Sequence, residues 1–262
     1  MFIATIGGGI LGYVFQVLMG RMLSVADYGL FVTMMALIAV VGVPLGTLSM
    51  VVSRRASNYR AKNQPERVAA MFWWINRRVF WIALAAVLCA LPFTPFLRDY
   101  AHLESLVPAW MFLLLTFTML FGPVNIALLQ AQQNFRWLAI NSLTGNAFKI
   151  IFCIALTYAG FKLNGALMGM VLATMATWFM TYLPLRSVVT QPIGVDQPKD
   201  HLSFKGAIPV LVANLSFAVM TQLDLLLVKH YFDPHQAGVY AAAAILGKAV
   251  MYLPGAITIA MF

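Results

Sequence analysis

Charge is what this 262-residue sequence has least of. Asp, Glu, Lys and Arg together make up 10% of it, where a soluble domain carries about 25%. Acids are the scarcer sign, 8 against 17 Lys and Arg, for a net charge of +9. Cysteine is limited to Cys89 and Cys153, both in apolar stretches. They show no CxxC spacing and no histidine neighbour, so packing is their expected role. The sequence has no GxxxxGK[ST], no HExxH and no GxSxG. It therefore offers no enzyme signature, no metal site and no cofactor site. It also has no basic n-region and no A-x-A site around its first apolar stretch, so a cleavable signal peptide is not read there.

What is present is apolar: 62% of the residues, with a mean hydropathy of +0.85. Residues 28–53, 105–135 and 163–185 contain no charge at all. Each run exceeds the roughly 20 residues that a helix needs to cross a bilayer core. We read an all-α polytopic membrane protein with about eight spans, at 2–20, 29–51, 79–97, 106–130, 138–160, 163–185, 207–228 and 237–260. Residues 66–78, with Trp73, Trp74, Arg77 and Arg78, read as an interfacial lead-in to span three. The domain reading is a first six-helix bundle over 1–187, a cytoplasmic linker over 188–206 and two helices of a second, incomplete bundle over 207–262.

The loops give an orientation. With the N-terminus cytoplasmic, the inside loops hold Arg54, Arg55, Arg60, Lys62, Arg67, Arg77, Arg78, Arg136, Arg186, Lys199 and Lys205, which is eleven cations. The outside loops hold Arg21, Arg98, Lys162 and Lys229, which is four. This is a positive-inside bias. It accounts for the net charge without a nucleic-acid partner, and none is expected.

Small residues and prolines recur within the spans. Gly8/Gly12 and Gly165/Gly169 each form a GxxxG, the spacing that lets helix backbones approach closely. Pro44, Pro123 and Pro254 sit inside spans two, four and eight, where proline kinks or breaks a helix. An internal echo links the two ends of the chain. Span one passes through Arg21, Asp27 and Gly29-Leu30-Phe31 into span two; span seven passes through Lys229, Asp233 and Gly238-Val239-Tyr240 into span eight. The glycines are 238 − 29 = 209 residues apart, and a proline follows each near mid-helix. A repeat of that length implies a partner half beyond the two helices present here, so a truncated or partial sequence is expected.

The turn Gly20-Arg21-Met22-Leu23-Ser24-Val25-Ala26-Asp27-Tyr28-Gly29-Leu30-Phe31 resembles the first extracytoplasmic turn of polysaccharide flippases. These belong to the multidrug/oligosaccharidyl-lipid/polysaccharide exporter (MOP) superfamily. Val52-Ser53-Arg54-Arg55-Ala56, Leu128-Leu129-Gln130-Ala131-Gln132-Gln133-Asn134-Phe135, and Leu223-Asp224-Leu225-Leu226-Leu227-Val228-Lys229-His230 followed by Ala237-Gly238-Val239-Tyr240-Ala241-Ala242-Ala243 are similar to the same family. The resemblance covers nearly the whole chain through loose motifs. It implies two six-helix bundles facing a central cavity. It also implies transfer of an undecaprenyl-diphosphate-linked oligosaccharide across the bacterial inner membrane for surface polysaccharide synthesis. The partners implied are that substrate, membrane lipids, and the polysaccharide polymerase and chain-length machinery.

The candidate site residues are those whose burial in hydrocarbon is costly. A Lys or Asp at a helix centre costs about 2.5–3.5 kcal/mol. Lys149 in span five and Lys248 in span eight lie deep enough to need a wet cavity, a polar partner or both. They either attract the diphosphate along the path or pair with acids and carbonyls that hold helices together. Asp224 either neutralises a cation such as Lys248, couples an ion, or sits at the interface. Arg21 at the outer end of span one, and Arg54 and Arg55 at the inner end of span two, either meet the diphosphate or serve as interfacial cations. Asn214, Gln222, Asn125 and Asn141 are polar cavity candidates that interhelical hydrogen bonding would also explain.

The competing readings are a cation-coupled multidrug exporter of the same superfamily, an integral-membrane polysaccharide polymerase or ligase, and a non-transporting remnant. The first would favour acids in the cavity, whereas Lys149 and Lys248 outnumber Asp224. The second would need a large outer loop, and the longest here is about ten residues by this span reading.

Overall fold

Helix punctuation sets the architecture. The structure, a computed structural model, describes residues 2–101, 105–190 and 206–261. Helix α1 runs Phe2–Met22 and α2 runs Val25–Ala61. Ser24 caps α2: its Oγ accepts from the Asp27 amide at 3.1 Å and donates to the Asp27 carboxylate at 2.8 Å. Asn63, at φ 52°, ends that helix, and Pro65 opens α3, Pro65–Ala90. Proline suits the first helical turn because its missing N–H has no partner to lose there. A short 3₁₀ turn, Leu91–Phe93, leads to α4, Thr94–Ala101.

Span four is two helices, α5 (Val107–Met119) and α6 (Gly122–Ala131), with the break immediately before Pro123. Helix α7 (Phe135–Leu156) turns through a π segment, Thr157–Phe161, into α8 (Lys162–Val189). Gly160 takes φ 94° in that turn, a conformation that costs glycine little. The last two helices are α9, Ile208–Tyr231, and α10, Pro234–Met261. Among the described residues, five stretches are long and apolar enough to span a membrane, and one of them, Phe135–Val189, contains both α7 and α8. The chain is an all-α polytopic membrane protein.

Several sequence boundaries shift. Helix α2 continues ten residues past the expected end at 51, because nothing in 52–61 breaks it and Arg54, Arg55 and Arg60 are tolerated on its surface. The lead-in over 66–78 is the first half of α3 itself. Lys229 and His230 belong to α9 rather than to a loop. Pro44 sits within an unbroken α2, and α10 runs through position 254. The sequence linker lies mostly outside the described residues, as do Lys199 and Lys205 of the inside count.

Both GxxxG pairs are used, on two neighbours of one helix. A Cβ on Gly8 would lie 2.6 Å from Ser142 Oγ, and one on Gly169 would lie 2.6 Å from Cys153 Cα. Helix α7 is thus held between α1 and α8 at close backbone approach. Two apolar clusters fill the bundle. One joins Phe15, Met19, Phe31, Phe112, Leu167 and Leu225; the other, nearer the basic helix ends, joins Val52, Tyr59, Phe72, Leu128 and Leu185.

Among the described residues, most of the buried positions of the last two helices lie toward one end. Leu225 and Lys229 of α9, and Ala237, Gly238 and Ala241 of α10, are buried. Every residue of α9 from 212 to 217 is exposed, which is more than a full turn of helix. Helices α9 and α10 therefore clasp α2 at the end carrying the 22–25 and 231–234 turns, called here the far end. Toward the opposite end, which carries Arg54, Arg55, Arg60, Arg67, Arg136 and Arg186, α9 is exposed over 212–217, and Ala207 ahead of it is buried again.

Candidate functional site

The far-end clasp is a backbone contact. A Cβ on Gly29 would sit 2.7 Å from Gly238 Cα, and one on Gly238 would overlap the Val25 carbonyl oxygen. The two glycines matched by the sequence echo touch each other. Beneath them, Lys229 is only 3% exposed. It has no hydrogen bond or ion pair among the described residues, and Asp27 and Asp233 are its electrostatic neighbours. The sequence reading placed it in an outer loop because hydropathy ends a span at a charge. Only the packing of α2 on α9 buries it.

Below the clasp lies a polar cluster between α9 and α10. The Lys248 ammonium donates to Gln222 Oε1 at 3.1 Å and to Asp224 Oδ1 at 3.3 Å. Tyr240 Oη donates to the other Asp224 oxygen at 3.2 Å. Asp224 lies seven residues before Tyr231, about 10 Å below the far end of α9. Lys248 lies fourteen residues into α10, and its side chain reaches back toward that level. The charge of Lys248 is thus shared with a carboxylate. The side chains stay partly open, at 18% and 32% exposure.

Lys149 differs. It lies seven residues before Leu156, about 10 Å below the far end of α7. This is the far half of the span rather than its middle, because α7 ends at 156 and not at 160. Lys149 is half-buried on the face of α7 that Gly145 and Cys153 press against α8. Among the described residues it has no hydrogen bond and no acid within ion-pair distance, and the Cys153 thiol is its electrostatic neighbour. That thiol donates to the Ala166 carbonyl at 3.3 Å. Helix α7 packs on α1 and α8, whereas α10 packs on α2, α9 and α1. The two span lysines therefore share α1 as a neighbour, but the structure gives them no contact with each other.

The other candidates are dispersed. Arg21 is exposed at the far end with no partner among the described residues. Arg54 is exposed at the basic end, and Arg55 donates through Nε to Tyr59 Oη at 3.3 Å. One turn further, Arg60 donates to the Ala131 carbonyl at 3.2 Å and lines a cavity of about 600 Å³ with Gln64, Gln132 and Asn134. Asn125 is fully buried and ties α6 to α8, its amide donating to Thr181 Oγ1 at 3.1 Å. Asn141 is half-buried with an unpartnered Oδ1, and Asn214 is exposed on the free stretch of α9.

This arrangement is similar to that of known transporters. A MOP superfamily transporter from Pyrococcus furiosus superposes with a TM-score of 0.58 at 16% identity, over 85% of this chain and 51% of its own. An outward-facing multidrug resistance MATE family transporter gives 0.59 at 17% identity, over 85% and 51%. An inward-facing MATE family transporter gives 0.60 at 15% identity, over 94% and 58%. The chain spans little more than half the length of these structures. No curated protein matches it at a significant level. The family model described as "Polysaccharide biosynthesis protein" matches residues 1–262. The chain belongs to the polysaccharide biosynthesis protein family, on a fold shared with MOP superfamily transporters.

Proposed function

We propose that the chain is part of a flippase that moves an undecaprenyl-diphosphate-linked oligosaccharide from the cytoplasmic to the outer leaflet of the bacterial inner membrane. Its role is transport rather than catalysis. The N-terminus and the arginine-rich helix ends face the cytoplasm in this reading, as the positive-inside bias favours. The observation that carries the proposal is Lys149: a cation in the far half of an apolar bundle with no acid beside it among the described residues. Holding such a charge costs about 2.5–3.5 kcal/mol at a helix centre. A diphosphate supplies the missing counter-charge as it passes, and a compact ammonium suits a phosphate whose orientation changes in transit.

The exposed stretch of α9 over 212–217 supports the same reading. In this reading the side clasped at Gly29/Gly238 is closed and the basic end opens, which is one half of an alternating-access cycle. Arg54 and Arg55 then meet the diphosphate before it enters, and Arg21 meets it after release. The polysaccharide polymerase and chain-length machinery would take the product. A cation-coupled drug exporter is the second reading. It would use Asp224, but that carboxylate already faces Lys248 and Tyr240.

Complementation tests the proposal. The gene is expressed in a strain lacking its own flippase, and surface polysaccharide is measured against protein abundance in the membrane. Lys149→Arg should retain output, while Lys149→Met and Lys149→Glu should lose it. Normal output from Lys149→Glu would overturn the role given to this cation.

A further inference from the structure

A second site lies away from Lys149, in the groove between α3, α8 and the turn before α6. Its cavity holds about 790 Å³. Arg77 and Arg78 line it and are both exposed. Arg78 lies 4.1 Å over the Trp74 ring, a cation–π contact that fixes its direction. Arg77 has no ion pair or hydrogen bond among the described residues. On the facing helix, Trp178 stacks on Tyr182 with ring centroids 5.8 Å apart.

Two polar atoms of this lining are buried with no partner: the Asn76 side-chain oxygen and the Trp178 indole nitrogen. Asn76 donates one amide N–H to the Phe72 carbonyl at 3.0 Å, and its Oδ1 is left without a partner. The site therefore offers two cations, one spare N–H donor and one spare acceptor. Unmade hydrogen bonds of buried groups cost about 1–3 kcal/mol each, so a ligand that makes them gains affinity.

The groove's place decides the chemistry. Arg77 and Arg78 stand where the uncharged stretch of α3 begins, and Phe80 and Phe121 continue the wall toward the hydrocarbon. Trp73 marks the same level, donating its indole N–H to the Val189 carbonyl at 3.2 Å. A ligand here needs a phosphate for the arginines, hydroxyl groups that donate to Asn76 and accept from Trp178, and an acyl chain for the phenylalanines. We infer that this groove binds one anionic glycerophospholipid of the phosphatidylglycerol type, at the basic end of the bundle. The substrate path is not involved.

Native mass spectrometry of the purified protein tests this. It is titrated in detergent with phosphatidylglycerol, phosphatidylethanolamine, undecaprenyl phosphate and inorganic phosphate. Phosphatidylglycerol should be retained over phosphatidylethanolamine. The double variant Arg77→Gln/Arg78→Gln should lower that preference about thirtyfold, from about 1 kcal/mol per interfacial cation. Trp178→Phe keeps the ring and removes the N–H, and should weaken retention about fivefold. Arg77→Lys/Arg78→Lys keeps both charges and should retain most of the preference, which separates lost charge from lost folding. Equal retention of the two phospholipids by the unaltered protein would overturn the site. Displacement by inorganic phosphate alone would overturn the lipid assignment. Undecaprenyl phosphate displacing phosphatidylglycerol from this groove would assign it to the carrier lipid instead.

Discussion

Gly29 and Gly238 meet so closely that a side chain on either would strike the other's backbone or the Val25 carbonyl. These are the two glycines matched by the sequence echo. In the proposed transport cycle the contact also closes the far end. Gly238→Ala should therefore loosen the clasp rather than the bundle. Spin labels at the exposed Ser24 and His235 should report a broader, longer distance in the variant than in the unaltered protein. An unchanged distance would separate this contact from closure.

The two GxxxG pairs should respond differently to alanine. On Gly8 the new methyl meets Ser142 Oγ, which can rotate away; on Gly169 it meets the Cys153 Cα and amide nitrogen, which cannot. Overpacking against backbone typically costs about 1–3 kcal/mol. Gly169→Ala should lower thermal stability in detergent by that order, and Gly8→Ala by much less. Equal losses would contradict the packing described.

The sequence made the lipid-crossing cores legible, because hydrocarbon thickness fixes the length of an apolar run. It did not show where helices continue outside the bilayer. Residues 52–61 carry arginines that end a hydropathy plateau but not a helix, and Asn63 and Pro65 are the real stop and start. The same rule misplaced Lys229, a charge at the end of an apolar run that tertiary packing encloses. The α3–α8 groove was half legible. Trp73, Trp74, Arg77 and Arg78 read as interfacial from local composition, but Trp178 lies about a hundred residues away on another helix. Asp224 and Lys248 lay within reach because their helices are joined by a short turn, so their pairing could be named as one of several options.

That pair gives a third prediction. It is partly exposed, so its worth is modest, of order 0.5–1 kcal/mol. Asp224→Asn and Lys248→Met should each lower thermal stability, and the double variant should lose less than the sum of the two. If Asp224 only balances Lys248, the neutral double variant should also recover surface polysaccharide relative to Asp224→Asn. Strict additivity in both measurements would deny the pairing a role.

In the proposed flippase Lys149 waits for an anion. The direct measurement is equilibrium binding of an undecaprenyl-diphosphate-linked oligosaccharide to the purified protein, compared with the same molecule lacking its diphosphate. A charge-assisted contact of about 1.5–3 kcal/mol corresponds to a loss of roughly 10- to 150-fold in affinity for Lys149→Met, with Lys149→Arg close to the unaltered protein. The diphosphate-free molecule should bind both proteins equally weakly. If Lys149→Met binds the diphosphate-bearing molecule as tightly as the unaltered protein does, the assignment of this lysine to the transported charge is wrong.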